Sequence, residues 1–145
     1  GVLLTKKSNL PEMNFDFSDS PDLAQTVIVT CAAKGIPGSF MGLESLKIKE
    51  TNRITALQNE LKKIGASLTE TSKGKWKLKP ADPENLPVHA VIETYGDHRM
   101  AMAFAPLATC MDVTILEPDV VNKSYPAFWE DLQKSGFELK FSRLS

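Results

Sequence analysis

Apolar positions recur along this chain with two periods, and the switches between them divide it into short elements. Met13-Asn14-Phe15-Asp16-Phe17 alternates as a half-buried strand does. Ser18-Asp19-Ser20-Pro21-Asp22 then reads as a helix start, with Ser20 as cap and Pro21 at the first helical position. Leu23, Ala24, Val27, Ile28, Cys31 and Ala32 mark the buried face of that helix, and Gly35 ends it. Upstream, Val2–Thr5 predicts a strand, joined to the rest by the polar linker Lys6–Glu12 with its Pro11. Ser39–Leu43 predicts another strand, and Leu46-Lys47-Ile48-Lys49 an alternating extended segment. A helix over Asn52–Ile64 follows, with Ile54, Leu57, Leu61 and Ile64 on one face, charged residues opposite, and Gly65 just past its end. Ser67–Thr71 and Lys75–Leu78 make a hairpin around Lys73-Gly74, and Pro80–Pro87 is a proline-rich connector.

The second half carries a similar order. Val91-Ile92-Glu93 predicts a strand, Asp97 caps an apolar helix that runs from Met100 to Ala108, and Val113–Leu116 predicts the next strand. Glu117-Pro118-Asp119 reads as a turn, and a last helix spans Tyr125–Lys134, with Pro126 at its start and Gly136 past its end. Side by side, the halves show strand, acid at a helix start, apolar helix, strand, lysine, second helix, glycine and strand. Asp22 corresponds to Asp97 and Lys49 to Lys123, while Leu61, Lys63, Gly65 and Leu68 correspond to Leu132, Lys134, Gly136 and Leu139. The expected fold is α+β (α/β), two repeated units over about 13–79 and 88–142, with helices packed against sheets.

Composition narrows the function. The chain has 145 residues, 42% of them hydrophobic, which is enough for one domain with its own core. The net charge is -1, and no basic run exceeds two residues, so nothing supports non-specific binding to nucleic acid or to a membrane surface. Cys31 and Cys110 fall in apolar helical patterns as small buried hydrophobes, which fits a reducing cytoplasm. No apolar run is long enough to span a bilayer, and no signal peptide pattern is present. The start at Gly1-Val2-Leu3, without methionine and inside an expected strand, suggests a fragment of a longer protein.

The charged residues gather at element ends. Asp22, Lys49, Glu50, Arg53, His98, Arg99 and Lys123 each precede or open a helix, and equivalent packing of the two halves would bring them to one end of the molecule. Taken singly, each also fits a solvated helix start, because acids favour N-termini for dipole reasons alone. Taken together, several cations without a Cys/His cluster at ligand spacing and without a glycine-rich phosphate loop suit small polyanions held without a metal. The carboxylates among them could act as acid and base.

Lys49-Glu50-Thr51-Asn52-Arg53, Asp97-His98-Arg99-Met100-Ala101-Met102 and Lys123-Ser124-Tyr125-Pro126, with Pro21-Asp22 upstream and Gly65-Ala66 closing the middle helix, resemble the C-terminal part of the 5-enolpyruvylshikimate-3-phosphate synthase family. The resemblance covers nearly the whole chain in order. It implies a transferase of the shikimate pathway (aromatic amino-acid and chorismate biosynthesis) that moves the enolpyruvyl group of phosphoenolpyruvate to the 5-hydroxyl of shikimate 3-phosphate and needs no cofactor. It also implies residue roles. Asp22 matches the carboxylate on the shikimate hydroxyls, Lys49 a contact of shikimate 3-phosphate that shares proton transfer, and Glu50 the acid beside the reacting carbon. Arg53 and Arg99 match the guanidiniums on phosphoenolpyruvate, His98 a supporting imidazole, and Lys123 a phosphate-side cation.

Two positions depart from the family pattern: Asn52 stands where aspartate is common, which is expected to loosen Arg53, and Gly96 stands where a polar residue is usual. The family has two lobes of repeated β-α-β-α-β-β units and is roughly three times as long, so about two such units of one lobe are expected here, and the N-terminal lobe is an expected partner that is absent. Alternatives are the related transferase acting on UDP-N-acetylglucosamine, an RNA 3′-phosphate cyclase sharing only the fold, and a non-catalytic phosphate-binding module.

Overall fold

Two parallel strand pairs, each joined through a helix, set the architecture of the computed structural model, which describes residues 1–8, 10–47 and 52–142. β1 (Met13–Asp16) continues through a 3-10 turn at Pro21–Leu23 into α1 (Ala24–Ala33), and the chain returns as β2 (Gly38–Met41). β1 and β2 pair in parallel, Met13 opposite Gly38 and Asp16 opposite Met41. Such neighbours cannot be joined by a tight turn, and α1 supplies the crossover. α2 (Arg53–Lys63) follows, and the antiparallel hairpin of β3 (Ser67–Ser72) and β4 (Lys75–Lys79) completes a sheet in the order β1-β2-β4-β3. β5 (His89–Ile92), α3 (His98–Phe104) and β6 (Asp112–Ile115) repeat the parallel crossover, with His89 opposite Asp112 and Ile92 opposite Ile115. α4 (Phe128–Lys134) ends the regular structure among the described residues.

One apolar cluster joins the first sheet, α1, α2, α3 and β5 through Phe40, Leu78, Ile28, Leu57, Leu61, Met100, Phe104 and Ile92, all fully buried. Burial of a leucine or isoleucine side chain of this kind contributes about 2 kcal/mol. α1 is buried on almost every side and packs against α3, with the small residues Ala24 and Ala32 of α1 and Ala103 of α3 in one shared core. The N-terminal ends of both crossover helices therefore emerge together, beyond the carboxyl ends of the parallel strands. Asp22 and Asp97 are the acids found there.

Several expected elements differ. Val2–Thr5 forms no strand, and Val2, Leu3 and Leu4 are exposed, because no described segment pairs with them. Ser20 makes no side-chain cap. The backbone of Leu23 donates to its carbonyl in the 3-10 turn instead, so α1 begins at Ala24. Glu44–Lys47 is a 3-10 turn rather than extended chain, and its three-residue period puts Leu43 and Leu46 together in the core. The rest of that expected segment, Ile48 and Lys49, lies outside the described residues.

The last helix starts at Phe128, not Tyr125. A 3-10 segment fills Pro118–Lys123, the Tyr125 amide donates back to Val121 at 2.7 Å, and Pro126 holds Tyr125 out of helical geometry. The strand expected around Leu139 is absent, and residues 137–142 line a groove beside β6 without joining a ladder. Glu60, counted with the charged face of α2, is buried instead: it stands three residues from Leu57 and four from Ile64, and so shares their face.

Gly42 fixes the path toward Asp22. It follows β2 at φ +75°, and a Cβ there would overlap the backbone nitrogen of Ser18, just where the Phe17 amide donates to the Met41 carbonyl at 2.9 Å. Gly65 has a similar φ of +89° but open space around it. In urea unfolding, Gly42→Ala is expected to lose about 3 kcal/mol or more and Gly65→Ala only about 1 kcal/mol. Equal losses would contradict the close approach at Gly42.

Candidate functional site

The turn before α3 is the origin of the site. Tyr95 at φ +54° and Gly96 at φ +69° bend the chain back, and the Asp97 amide donates to the Thr94 carbonyl at 2.9 Å. The left-handed conformation suits glycine, which accounts for Gly96 where the resembled family has a polar residue. Asp97 then caps α3, its Oδ1 accepting from the Arg99 backbone N–H at 2.9 Å. A side chain committed to capping in this way has a fixed direction.

Its other oxygen reaches across the core. Arg53, the first residue of α2, donates Nε–H to Asp97 Oδ2 at 2.9 Å, with 16% of the arginine side chain and 4% of the aspartate exposed. Gln25 on α1 donates Nε2–H to the same Oδ2 at 3.3 Å. Three elements thus converge on one buried carboxylate. A second ion pair lies beside it, Arg99 Nη2 to Asp22 Oδ1 at 2.9 Å, where the arginine is 22% exposed and the aspartate 67%. Asp22, Arg53 and Arg99, which stand far apart in the sequence, form one charged group with Asp97 at its centre.

That group is under-satisfied in a telling way. Arg53 Nη1, Gln25 Oε1 and Thr94 Oγ1 are buried and find no hydrogen-bond partner among the described residues, and all three belong to residues bonded to Asp97. Buried donors and acceptors are ordinarily paired with protein or ordered water. A guanidinium whose Nε edge is already held by a carboxylate can still offer Nη1 to a second acceptor.

The remaining candidates are placed as follows. His98 opens α3 half-buried. Lys123 is exposed at the end of the 3-10 segment Pro118–Lys123, which packs on α3 through Val121 in a small cluster with Ala101, Ala105 and Phe128. It makes no ion pair with another described residue. Lys49 and Glu50 lie outside the described residues. Asn52 caps α2, its side chain accepting from the Thr55 amide at 3.2 Å, so the orientation of Arg53 rests on Asp97 rather than on an aspartate at position 52. Sequence reasoning missed Gln25 and gave Asp97 only a capping role. A glutamine on an otherwise apolar helix face, three residues after Asp22, was the available signal.

The two ion pairs differ in burial, and stability should separate them. Arg53→Met strands a buried carboxylate and is expected to lose about 3 kcal/mol, whereas Asp22→Asn breaks an exposed pair and should cost under about 1 kcal/mol. Urea unfolding of both variants checks this, and a loss at Asp22 as large as that at Arg53 would contradict the burial argument.

The family profile described as EPSP synthase (3-phosphoshikimate 1-carboxyvinyltransferase) matches residues 2–132. A Bacteroides fragilis 3-phosphoshikimate 1-carboxyvinyltransferase is 49% identical over 144 residues, covering 97% of this chain and 34% of the relative. One from Methanospirillum hungatei is 39% identical over 127 residues, covering 86% of this chain and 28% of the relative. An EPSP synthase structure from Acinetobacter baumannii shares the fold with a TM-score of 0.71 at 23% identity, over 86% of this chain and 29% of that one. The chain spans about a third of the length of the curated relatives it matches. With its family profile matched over most of its length and such relatives along it, the chain belongs to the EPSP synthase family.

Proposed function

We propose that this chain forms one wall of the active site of a 3-phosphoshikimate 1-carboxyvinyltransferase. The observation that carries the reading is the pair of guanidiniums, Arg53 and Arg99, held side by side by Asp97 and Asp22, with Arg53 Nη1 buried and unpartnered among the described residues. Planar forks of this kind suit carboxylate and phosphate oxygens, and phosphoenolpyruvate carries both. The Asp22–Arg99 pair is exposed enough that a multiply charged anion can displace Asp22 from the arginine.

The substrates are phosphoenolpyruvate and shikimate 3-phosphate. The 5-hydroxyl oxygen of shikimate 3-phosphate adds to C2 of phosphoenolpyruvate. Asp22 takes the hydroxyl proton, with Lys49 sharing the transfer, and Glu50 protonates the methylene carbon to a methyl group. In elimination, that carbon returns a proton, the double bond re-forms, and phosphate leaves carrying the C2–O bond electrons. Arg53 and Arg99 hold the phosphoenolpyruvate carboxylate and phosphate, His98 supports them, and Lys123 faces the phosphate side. No step calls for a metal or organic cofactor. The two repeated units, about 13–79 and 88–142, are supported by the twin parallel crossovers. The grooves on the first sheet and beside β6 include none of these charged residues. A second lobe of the same protein would close over these residues, since the chain spans about a third of the length of its curated relatives. No described helix is long and apolar enough to cross a membrane. Cys31 is buried as expected, while Cys110, expected to be buried, is exposed because it follows the last turn of the 3-10 segment Ala105–Thr109; both are free thiols, which fits the cytoplasm.

In the full-length protein, Asp22→Asn and Glu50→Gln should each lower kcat by about a hundredfold while KM values change little, since each keeps shape and removes a proton carrier. Near-normal turnover in both would refute the roles. Arg53→Lys and Arg99→Lys keep charge but lose the two-point contact, so KM for phosphoenolpyruvate should rise. The 145-residue chain alone should bind phosphoenolpyruvate weakly and in a salt-sensitive way and release no phosphate from the two substrates. Robust release by the chain alone would overturn the need for a second lobe.

A further inference from the structure

The buried carboxylate of Glu60 has no place in the chemistry above, yet it is fully satisfied. It stands seven residues, about two turns, beyond Arg53 on the inner face of α2, and is 1% exposed. Its Oε2 accepts from the Glu93 backbone N–H at 3.1 Å and from Lys63 Nζ at 2.7 Å, and its Oε1 accepts from the Tyr95 hydroxyl at 2.8 Å. Lys63 also donates to the Val91 carbonyl at 2.9 Å. These bonds converge on the end of β5 and on Tyr95, the residue held at φ +54°. A left-handed tyrosine is strained and persists only where its surroundings over-determine it. Burial, then the hydrogen bond to Glu60, push the Tyr95 hydroxyl above the usual tyrosine range, so it remains a donor.

We propose that Glu60 and Tyr95 act as positioning residues: the Glu60 carboxylate clamps the strained turn 93–96 to α2 and thereby sets where Asp97 and Arg99 stand relative to Arg53. α2 then grips this loop twice, by Arg53 on Asp97 at the far end of the turn and by Glu60 on Glu93 and Tyr95 at the near end. Two grips on one rigid helix fix both the position and the tilt of the α3 start. One grip would leave the turn free to relax toward ordinary backbone angles, carrying Arg99 away from Arg53. The spacing of the two guanidiniums, and so the fit of a small anion carrying both carboxylate and phosphate, depends on that tilt.

The inference rests on the proposed function for its kinetic arm, and a second arm is independent of it. In the full-length protein, Tyr95→Phe and Glu60→Gln are compared with Leu57→Ala, which opens a cavity under the same helix but removes none of the bonds that Glu60 makes. Tyr95→Phe and Glu60→Gln should raise KM for phosphoenolpyruvate about tenfold with a smaller change in kcat. Both should also speed hydrogen exchange at the Glu93 and Asp97 amides. Leu57→Ala should lower Tm while leaving that KM and those amides near wild type. An unchanged KM and unchanged exchange in Tyr95→Phe would overturn the proposal, as would a KM rise in Leu57→Ala equal to that of the clamp variants. If the wild-type protein does not turn over these substrates, the functional reading fails, and the exchange arm alone decides the clamp: faster exchange at those amides supports it, and unchanged exchange refutes it.

Discussion

The ion pair between Arg53 and Asp97 is the constraint on which the site depends. It joins the start of α2 to the start of α3, two elements whose first residues are 45 positions apart, and it is buried enough that neither charge can be left alone. Taking two charges out of water is costly, and an apolar pair of the same volume would commonly be at least as stable. What such a pair supplies is direction. Asp97 accepts from Arg53, Gln25 and the Arg99 backbone at once, so α1, α2 and α3 are tied at a single carboxylate. A hydrophobic contact at that point would hold the helices together without fixing which way a guanidinium faces.

The Asp22–Arg99 pair next to it works under other terms. Its aspartate is two-thirds exposed, and pairs of that kind contribute little to stability because water and salt compete with them. A weak pair is an advantage in a binding site, since both partners must become available when a ligand arrives. The proposed anion site thus combines a buried pair that aims its groups with an exposed pair that a ligand can open. The packing of α1 against α3, with alanines of both in the shared core, puts the two pairs side by side.

The strained turn before Asp97 follows from the same geometry. β5 must end, reverse and deliver an aspartate to the mouth of α3 within four residues, and ordinary backbone angles do not achieve this. Tyr95 and Gly96 take left-handed conformations, and Glu60 receives the tyrosine hydroxyl and the Glu93 amide from α2. The inner face of α2 therefore carries polar work at both ends and apolar packing between, through Ile54, Leu57 and Leu61.

The elements with strong local signals were legible in the sequence. The alternation of Met13–Phe17, the 3.6-residue period of Asn52–Ile64, the hairpin around Lys73-Gly74 and the cap at Asp97 each depend on neighbours a few residues away. So were the residue types of the candidate site, because Asp22, Arg53, His98 and Arg99 stand in the first turn of an element, whereas Lys123 lies at the end of the 3-10 segment Pro118–Lys123. The sequence by itself also carried the family resemblance. It could not say which charges meet. Val2–Thr5 reads as a strand by propensity, but a strand exists only where another is there to pair. Glu60 reads as solvent-facing by its charge, yet three donors from Lys63, Glu93 and Tyr95 make its burial possible, and two of them come from the turn after β5. Gln25, Asp97 and Arg53 became one network only through the packing of α1, α2 and α3. Tertiary structure alone decided those meetings, because an ion pair across the core depends on helix positions that no local pattern encodes.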